Sequence, residues 1–489
     1  MKSSIKKIRM RENDEALPLK KICVGILIGY LLLTVCFYFL SGEQLHYRNS
    51  RGNIEMQTAN AATIELTTGS TVEQRFHTNI QIIDNISVQW GSFNRVNQGT
   101  VIVQLLDAET QKLLLDEVLQ ANELTEGKVT DFTLPALEGY FGKTMLLRIF
   151  SPNSTPGNAV TPLMKSDGAL EQGQLLINGE PVSGVLSFSI SGRDYIWSGL
   201  HYWEFVFGGW LFLLLFDFII LYKQKKGRKS LLVNALIAVR RYRFLIRQLV
   251  SRDFKTKYKR SVLGILWSFL NPLLTMSVQY MVFSNIFRMN IENYPAYLLC
   301  GGVMFNFFSE ACGMTLGSIT GNSTLITKVY MPKYIYPLTR TLSSAVNLLI
   351  SMIPLFLVVL FSGIMPTKAY LLLPFELICL IVFCLGLGML LSASMVFFRD
   401  TQFLWGVLSM IWMYMTPIFY PESILPPGMD IVLKINPLYY FIKFTRICVI
   451  DGISPEPMLY VQSALFAVGM LVVGACVFKK TQDKFILYL

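Results

Sequence analysis

The chain has 489 residues, of which 53% are hydrophobic and 15% are charged, and its formal net charge at pH 7 is +11. So apolar a composition predicts a polytopic membrane protein and excludes an ordinary soluble one. The basic residues cluster beside apolar stretches, which favours anionic lipid headgroups rather than nucleic acid as their partners. With three histidines and no Cys-x-x-Cys pair, no metal site is expected, and a histidine-based catalytic centre inside the membrane is excluded.

The N-terminal part of the chain predicts two membrane spans that bracket a polar domain. A basic cytoplasmic segment (1–21) precedes an uncharged transmembrane anchor (22–40). A polar external domain (41–202) follows, and a second transmembrane helix (203–222) ends at a basic cluster on the inside. A cleaved signal peptide is the alternative for the first span, but its apolar run is long and no convincing cleavage site follows it.

Alternating polar and apolar residues in the external domain predict an all-β sandwich. The period-2 runs, separated by turn residues, are 81–88, 100–106, 129–134, 144–150 and 184–191. The domain contains no cysteine, so it must fold without disulfides. Trp90, Phe93 and Tyr140 are candidate contacts for a glycan at its surface, with packing in the domain core as the alternative for each.

The remaining chain predicts a cytoplasmic amphipathic interface segment (223–260) and a six-helix membrane core (261–489). Between residues 240 and 260 an apolar stripe with helical spacing separates arginine-rich faces, as is typical of a helix lying on a membrane surface. Six apolar spans follow, at about 262–287, 297–318, 341–363, 371–397, 402–420 and 458–478. Basic residues in alternate loops place both termini in the cytoplasm. The predicted fold is therefore an α-helical polytopic membrane protein of about eight transmembrane helices with an inserted β-sandwich.

No motif for nucleotide hydrolysis is found in the sequence. There is no GxxxxGK[ST] phosphate-binding loop, no HExxH and no GxSxG with suitable partners. The chain is therefore not expected to be an enzyme, and any work that it performs must draw on energy supplied by another protein.

Several short motifs, spread in order over roughly residues 245–489, together resemble the ABC-2 type transporter permeases. The closest resemblance is to the permeases that export O-antigen, teichoic acid and related cell-surface polysaccharides. The motifs are RDFK (252–255), YKRSVLG (258–264), Trp267, Asn271-Pro272, FNFFSE (305–310), NSTLITKVYMPKYIYPL (322–338), FRD (398–400), TPIFYP (416–421) and NPL (436–438).

This resemblance implies a permease in the cytoplasmic membrane that moves a polysaccharide or a lipid-linked glycan outward. Two permeases would pair about a pore, and each would dock a separate cytosolic ATPase that binds ATP and magnesium. The loop after the second core span would couple to the ATPase through Leu325, Lys328, Tyr330, Met331, Pro332 and Lys333. The surface helix would contribute Arg247, Arg252, Lys255, Tyr258 and Arg260.

Aromatic residues suggest a path for the exported polymer, because sugars stack on aromatic rings. Trp405, Trp412 and Phe419 recur every seven residues, as expected for one helix face. The other candidates for this path are Trp267, Tyr280, Phe283, Phe287 and Glu310. Core packing or lipid contact is the alternative for the aromatic residues. An intramembrane carboxylate such as Glu310 is expected to face a watery cavity or a partner helix.

Two features depart from the family pattern. Lys333 stands where the family usually has arginine, which argues against a bidentate arginine contact with the ATPase. The N-terminal spans and the external domain lie outside the family core. That domain has three candidate roles, which are glycan binding, docking of an envelope partner, and a structural cap over the pore.

Two other functions compete with polysaccharide export. One is an ABC-2 exporter of a lipid or drug. The other is a membrane-anchored glycan-binding or sensor protein, which the short, basic inside segments disfavour because they leave no effector region.

Overall fold

The computed structural model describes two compact units, His46–Leu200 and the remainder of the chain. The described residues are 18–170, 172–226, 233, 237, 239–259, 262–287, 291–328, 331–426, 428 and 430–488. Most of the predicted cytoplasmic segment 1–21 and part of the segment 223–260 lie outside them.

The unit His46–Leu200 is built from strands, with one short helix, α2 (Trp197–Leu200), at its end. The strands are β1 (Tyr47–Asn49), β2 (Ala61–Ala62), β3 (Thr71–Thr78), β4 (Ile82–Gly91), β5 (Thr100–Asp107), β6 (Leu113–Gln120), β7 (Val129–Glu138), β8 (Lys143–Phe150), β9 (Thr161–Lys165), β10 (Gln174–Ile177), β11 (Glu180–Val182), β12 (Val185–Leu186) and β13 (Phe188–Tyr195).

Two antiparallel sheets form a β-sandwich. The six-stranded sheet has the order β11-β10-β3-β8-β5-β6, and the seven-stranded sheet follows β1-β13-β4-β9-β12, with β2 and β7 added at its sides. Phe76 of the first sheet meets Phe188 of the second with ring centroids 5.5 Å apart, so the inner faces of the two sheets share one core. The predicted β-sandwich is confirmed.

Four of the five predicted runs are single strands, and the run 184–191 covers β12 and part of β13; several further strands were not predicted. They include β3 and β6, which are both eight residues long. In β3 the inward positions alternate between Val72, Gln74, Phe76 and Thr78. Two of these four are polar, so the apolar alternation that marks a strand is weak.

The prediction of a glycan contact at Trp90 is wrong. Trp90 is 0% exposed and lies in the sandwich core, because its position in β4 points between the two sheets. Core packing, the alternative, describes this residue. Phe93 is 43% exposed, and Tyr140 is partly buried against the core cluster, so these two candidates remain at or near the surface.

The second unit is helical. Its helices are α1 (Leu19–Ser41), α3 (Tyr202–Lys225), α4 (Arg243–Tyr258), α5 (Leu266–Tyr280), α6 (Tyr294–Leu316), α7 (Ser323–Lys328), α8 (Ile335–Phe361), α9 (Leu373–Phe397), α10 (Thr401–Met415), α11 (Asp430–Ile435), α12 (Pro437–Arg446), α13 (Pro457–Thr481) and α14 (Phe485–Tyr488). Two π-helical segments, Met281–Ile286 and Ile447–Asp451, extend α5 and α12.

Five helical segments in the described part of the chain are long and apolar enough to cross a membrane: Leu19–Leu45, Tyr202–Lys225, Ile335–Phe361, Lys368–Phe397 and Pro457–Tyr488. Each coincides with a predicted span. The other three predicted spans are also helical, in α5, α6 and α10. The π-helical segment Met281–Ile286 continues α5, whereas α10 has only 15 residues, fewer than the ~20 that a straight crossing needs.

Helices α9 and α13 approach each other closely through glycines. A Cβ atom built on Gly474 would lie 1.9 Å from the Gly386 carbonyl oxygen, and one built on Gly386 would lie 2.5 Å from Met470. Small residues allow such close backbone contact, which is the main source of attraction between helices in lipid.

The two N-terminal spans form an antiparallel pair. The Tyr30 hydroxyl in α1 donates to the Val206 carbonyl in α3 at 3.2 Å, and the Tyr202 hydroxyl donates to the Thr34 carbonyl at 2.7 Å. Near the same end, Phe37 contacts Tyr460 of α13 edge to face at 4.9 Å. The extra hairpin therefore packs against the helical core rather than standing apart from it.

We predict that Glu126→Gln loosens residues 92–97 of the β unit. The Glu126 carboxylate accepts hydrogen bonds from the Ser92 amide at 2.7 Å and the Asn94 amide at 3.4 Å, within a turn where Asn94 has a φ of +56°. The hydrogen bond from the Ser92 amide lowers the pKa of Glu126 below its ordinary value of 4.5. The stabilisation is therefore present above that value and is lost as the pH falls through the folded-state pKa.

The measurement is limited proteolysis of the full chain from neutral to acidic pH, with cleavage sites read by mass spectrometry. At neutral pH we expect about fivefold faster cleavage in this turn for the variant, since one exposed charge-assisted hydrogen bond contributes ~1 kcal/mol. The two proteins should converge in acid. Exposed Glu123→Gln is the control, and equal cleavage of wild type and Glu126→Gln at neutral pH would contradict the prediction.

Candidate functional site: the junction of the amphipathic helix with the core

Helix α4 lies against the core through its apolar stripe. Ile246 and Leu249 are 8% and 7% exposed, whereas Arg247 on another face is exposed. Ile246 belongs to a buried cluster with residues from the 319–336 segment, α9 and the C-terminal segment. The helical spacing that predicted a surface helix therefore marks a face that packs on protein.

A buried carboxylate joins α4 to α8. Asp253 is 5% exposed at its side chain, and its Oδ2 lies 2.9 Å from Nη1 of Arg340 in α8. Its Oδ1 lies 3.1 Å from Nη2 of the neighbouring Arg252. A carboxylate so shielded from water is stable only when its charge is paired, so Asp253 holds α4 and α8 together.

One turn further along α4, a second polar contact reaches α6. The Lys257 ammonium donates to Oε1 of Glu310 at 2.9 Å, and Nδ2 of Asn347 donates to the same oxygen at 2.6 Å. Glu310 thus faces both a cavity and its partner helices, the two environments expected for an intramembrane carboxylate. The cavity between α4, α6 and α8 has a volume of about 580 Å³.

The predicted coupling segment begins with a 3₁₀ turn, Thr320–Asn322, and α7. Leu325 is 38% exposed on α7, whereas Met331 is buried in the cluster beneath α4. The Lys333 ammonium donates to the Gln482 carbonyl at 2.5 Å and lies over the Phe485 ring. Lys333 therefore fastens this segment to the C-terminal segment.

The other predicted contacts on this face are exposed or fall outside the described residues. Arg252 is 52% exposed at its side chain, and Lys255 is exposed. Pro332 is partly buried at the start of the turn into α8. Arg260 and Tyr330, and the side chains of Tyr258 and Lys328, lie outside the described part of the chain.

At the opposite end of α5, aromatic residues from three segments converge. Phe283 stacks on Phe419 with centroids 5.3 Å apart and an interplanar angle of 5°, and it also stacks on Phe287. Tyr280 lies 6.0 Å from Tyr294, whose hydroxyl donates to the Phe419 carbonyl. Trp267, near the other end of α5, is 45% exposed and does not join this group.

The predicted stripe of Trp405, Trp412 and Phe419 on one helix face is wrong for Phe419. Helix α10 ends at Met415, because Thr416 precedes Pro417 and adopts an extended conformation. Trp405 is 8% exposed, and both tryptophans pack edge to face on Phe308 of α6. Core packing, the alternative, describes these two residues.

The chain after α10 is held by Arg446 of α12. Its guanidinium donates to the carbonyls of Pro417 at 2.7 Å and Ile418 at 3.0 Å, and its carbon lies 3.4 Å from the ring centroid of Tyr297. These bonds satisfy carbonyl groups that the broken helix leaves without partners.

Sequence analysis missed Asp253, Lys257, Arg340, Asn347 and Arg446 as functional candidates. A signal was present for Asp253, since it is the one acidic residue within the basic stretch 252–260. Its partner Arg340 gives no separate signal, because it is one of the basic loop residues that the positive-inside rule explains. Among the described residues, no group of three or more His, Cys, Asp and Glu side chains is placed to hold a metal ion.

Comparison with known proteins gives a consistent result for this half of the chain. The sequence profile described as "ABC-2 type transporter" matches residues 245–450. The O-antigen export system permease protein RfbA of Myxococcus xanthus is 30% identical over 247 residues, which cover 50% of this chain and 95% of that protein. A Klebsiella pneumoniae protein of the same name is 29% identical over 92% of its length, and the polysialic acid transport protein KpsM of Escherichia coli is 22% identical over 93%.

We predict that Asp253→Asn destabilises the attachment of α4. The substitution leaves Arg340, which is 24% exposed, without its charge partner. We expect a cost of about 3 kcal/mol, between the values for exposed and fully buried pairs. The measurement is thermal unfolding of the detergent-purified protein, followed by proteolysis at α4. Exposed Lys255→Gln on the same helix is the control, and an unchanged midpoint for Asp253→Asn would refute the proposed attachment.

Proposed function

Because the chain belongs to the ABC-2 type transporter family, we propose that it is the permease subunit of an ATP-driven exporter that moves a cell-surface polysaccharide or lipid-linked glycan outward across the cytoplasmic membrane. The observation that supports this most strongly is the 30% identity to an O-antigen export permease across 95% of that protein. The match to a relative named for polysialic acid transport also points to a polysaccharide cargo.

The energy source in this proposal is a separate cytosolic ATPase, which binds the ATP and magnesium. The sequence contains no phosphate-binding loop, so the permease needs such a partner. The docking surface is the exposed side of α4 and α7, with Arg247, Lys255 and Leu325 as contacts. The packed face of α4 and its ion pairs to α8 give this surface a rigid connection to the core.

A second copy of the permease completes the pathway in this proposal. Helices α5 and α10 leave much of their apolar surface uncovered, including Val278 at 63% and Phe403 at 75% exposure. Lipid covers part of such surface, and we propose that the partner copy covers the rest. The polymer would pass beside the aromatic group around Phe283 and Phe419.

The proposed topology has both termini in the cytoplasm and residues 41–202 outside. Lysines after α3, around residues 223–229, and at the end of α13 support this orientation through the positive-inside rule. The domain boundaries are proposed as predicted from the sequence, and the compact β unit His46–Leu200 lies within the proposed external segment.

The external β unit then lies on the side where the polymer emerges, and its three candidate roles remain open. Phe93 and Tyr140 are the aromatic residues that support a glycan contact. Each lies beside a cation, because Arg95 is 5.0 Å from the Phe93 ring and Lys143 is 5.0 Å from the Tyr140 ring.

We predict that wild-type protein solubilised from its own membranes co-purifies with an ATPase, and that Leu325→Glu reduces the bound ATPase activity at least tenfold. Leu325 is exposed, so a charge there disturbs a docking surface without entering the core. Lys434→Glu, at the opposite end of the helical unit under the proposed topology, is the control. ATP hydrolysis in the purified fraction is the readout.

Failure of the wild type to retain any ATPase under stabilising conditions would remove the exporter proposal. A membrane-anchored glycan-binding protein would then be the better description. Retention of the ATPase by both variants would leave the exporter in place but refute the docking surface.

A further inference from the structure

A second large cavity lies at the opposite end of the helical unit, beyond the Phe283–Phe419 stack. It has a volume of about 450 Å³, within the range of small-molecule sites. Its walls come from the chain before α6, the chain after α10, and α12 with its π-helical extension. The lining residues are Ile291, Glu292, Asn293, Tyr297, Pro421, Glu422, Tyr439, Lys443, Arg446, Ile447, Ile450 and Asp451.

The basic residues of this cavity are engaged by other groups of the chain. The Lys443 ammonium donates to the Tyr439 hydroxyl at 2.8 Å and to Glu422 at 3.3 Å, and the Tyr439 hydroxyl donates to Glu422 at 2.8 Å. Arg446 is held by the carbonyls after α10, as described above. Lys443 is thus ion-paired with Glu422, whereas Arg446 has no carboxylate partner among the described residues but already donates to main-chain carbonyls and lies over the Tyr297 ring.

Two of the three acidic residues in the cavity lining are not engaged in ion pairs of this kind. Glu292 and Asp451 are exposed at the rim of the cavity, and neither has an ion-pair partner among the residues that the structure describes. An ionised carboxylate only accepts hydrogen bonds, which suits the hydroxyl groups of a sugar. The lining has three carboxylates against two cations, so its local charge opposes an anion.

Tyr439 adds an apolar surface to these polar groups. It is partly buried in the cavity wall, and its hydroxyl is fixed by Glu422 and Lys443. A fixed aromatic side chain beside hydrogen-bond acceptors matches the mixed polar and apolar surface of a sugar ring. A phosphate, uronate or sialate group would meet the carboxylates of Glu292 and Asp451 here, and the two cations of the lining are already hydrogen-bonded within the chain.

We infer that this cavity is a saccharide-binding subsite for an uncharged or amine-bearing sugar, and that the exported polymer is not anionic. The inference rests on the proposed export function, because the cavity adjoins the aromatic group assigned there to the path. Tyr297 of the cavity wall and Tyr294 of that group lie in the same turn of α6, with ring centroids 6.2 Å apart.

The first test compares the surface polysaccharides of the host with those of a strain that lacks this gene. We expect one polysaccharide to be lost, and sugar analysis to find it free of uronic acid, sialic acid and phosphate. A lost polymer that is anionic would overturn the inference while leaving the export function intact. A strain that loses no polysaccharide would instead overturn the export function and, with it, this inference.

The second test measures binding of short oligosaccharides cut from that same polysaccharide. Saturation-transfer NMR with the full-length protein in detergent should detect binding to the wild type. Asp451→Asn and Tyr439→Phe should each weaken oligosaccharide binding at least fivefold. Asp451→Glu, which keeps the carboxylate, should retain most of the wild-type affinity. Lys434→Gln lies outside the cavity and should have no effect. Wild-type binding that is absent, or unchanged in both cavity variants, would overturn the inference.

Discussion

The pairing of the Asp253 carboxylate with Arg340 is the interaction on which the arrangement of helices α4 and α8 depends. Helix α4 is polar overall, and its narrow apolar stripe alone would bind a membrane surface as readily as a protein. The ion pair favours packing on the protein over binding to the membrane surface, because the buried Asp253 carboxylate needs the charge of Arg340 at one fixed position. Lys257 and Glu310 repeat the connection one turn away. Side-chain contacts thereby connect α4 to both α6 and α8.

The other end of the helical unit obeys a different constraint, the need of backbone groups for partners inside a membrane. The chain leaves its helix at Thr416 and the freed carbonyls receive the guanidinium of Arg446. These carbonyl groups do not neutralise the guanidinium, but they fix its position and occupy its donors. The adjoining cavity consequently has basic residues in its wall and yet presents carboxylates and tyrosine to an incoming molecule.

The sequence alone predicted the architecture, but it did not predict the contacts between residues that are distant along the chain. Apolar runs located the membrane helices, and five runs with period-2 alternation located six strands, because both patterns follow from burial of one local face. The alternation pattern missed β3, because the inward-facing Gln74 is polar and yet 0% exposed. The glycan contact predicted at Trp90 was wrong, because a tryptophan can pack in a core as readily as it can bind a sugar. Asp253 and Arg340 are 87 positions apart by residue number, so only the fold reveals them as a pair. The heptad spacing of Phe419 was misleading because a proline ends the helix first.

The strand pairing at the two ends of the β unit has an evolutionary consequence. Strand β1 pairs with β13, with Tyr47 opposite Tyr195, so the polypeptide enters and leaves this unit at neighbouring points. The two spans that flank it are likewise joined side by side by the hydroxyls of Tyr30 and Tyr202. A domain whose two ends lie side by side can be gained, lost or exchanged as one genetic unit without changing the path of the helices around it. The β unit is thus free to change by recombination as well as by gradual substitution, while the helices that flank it keep their contacts.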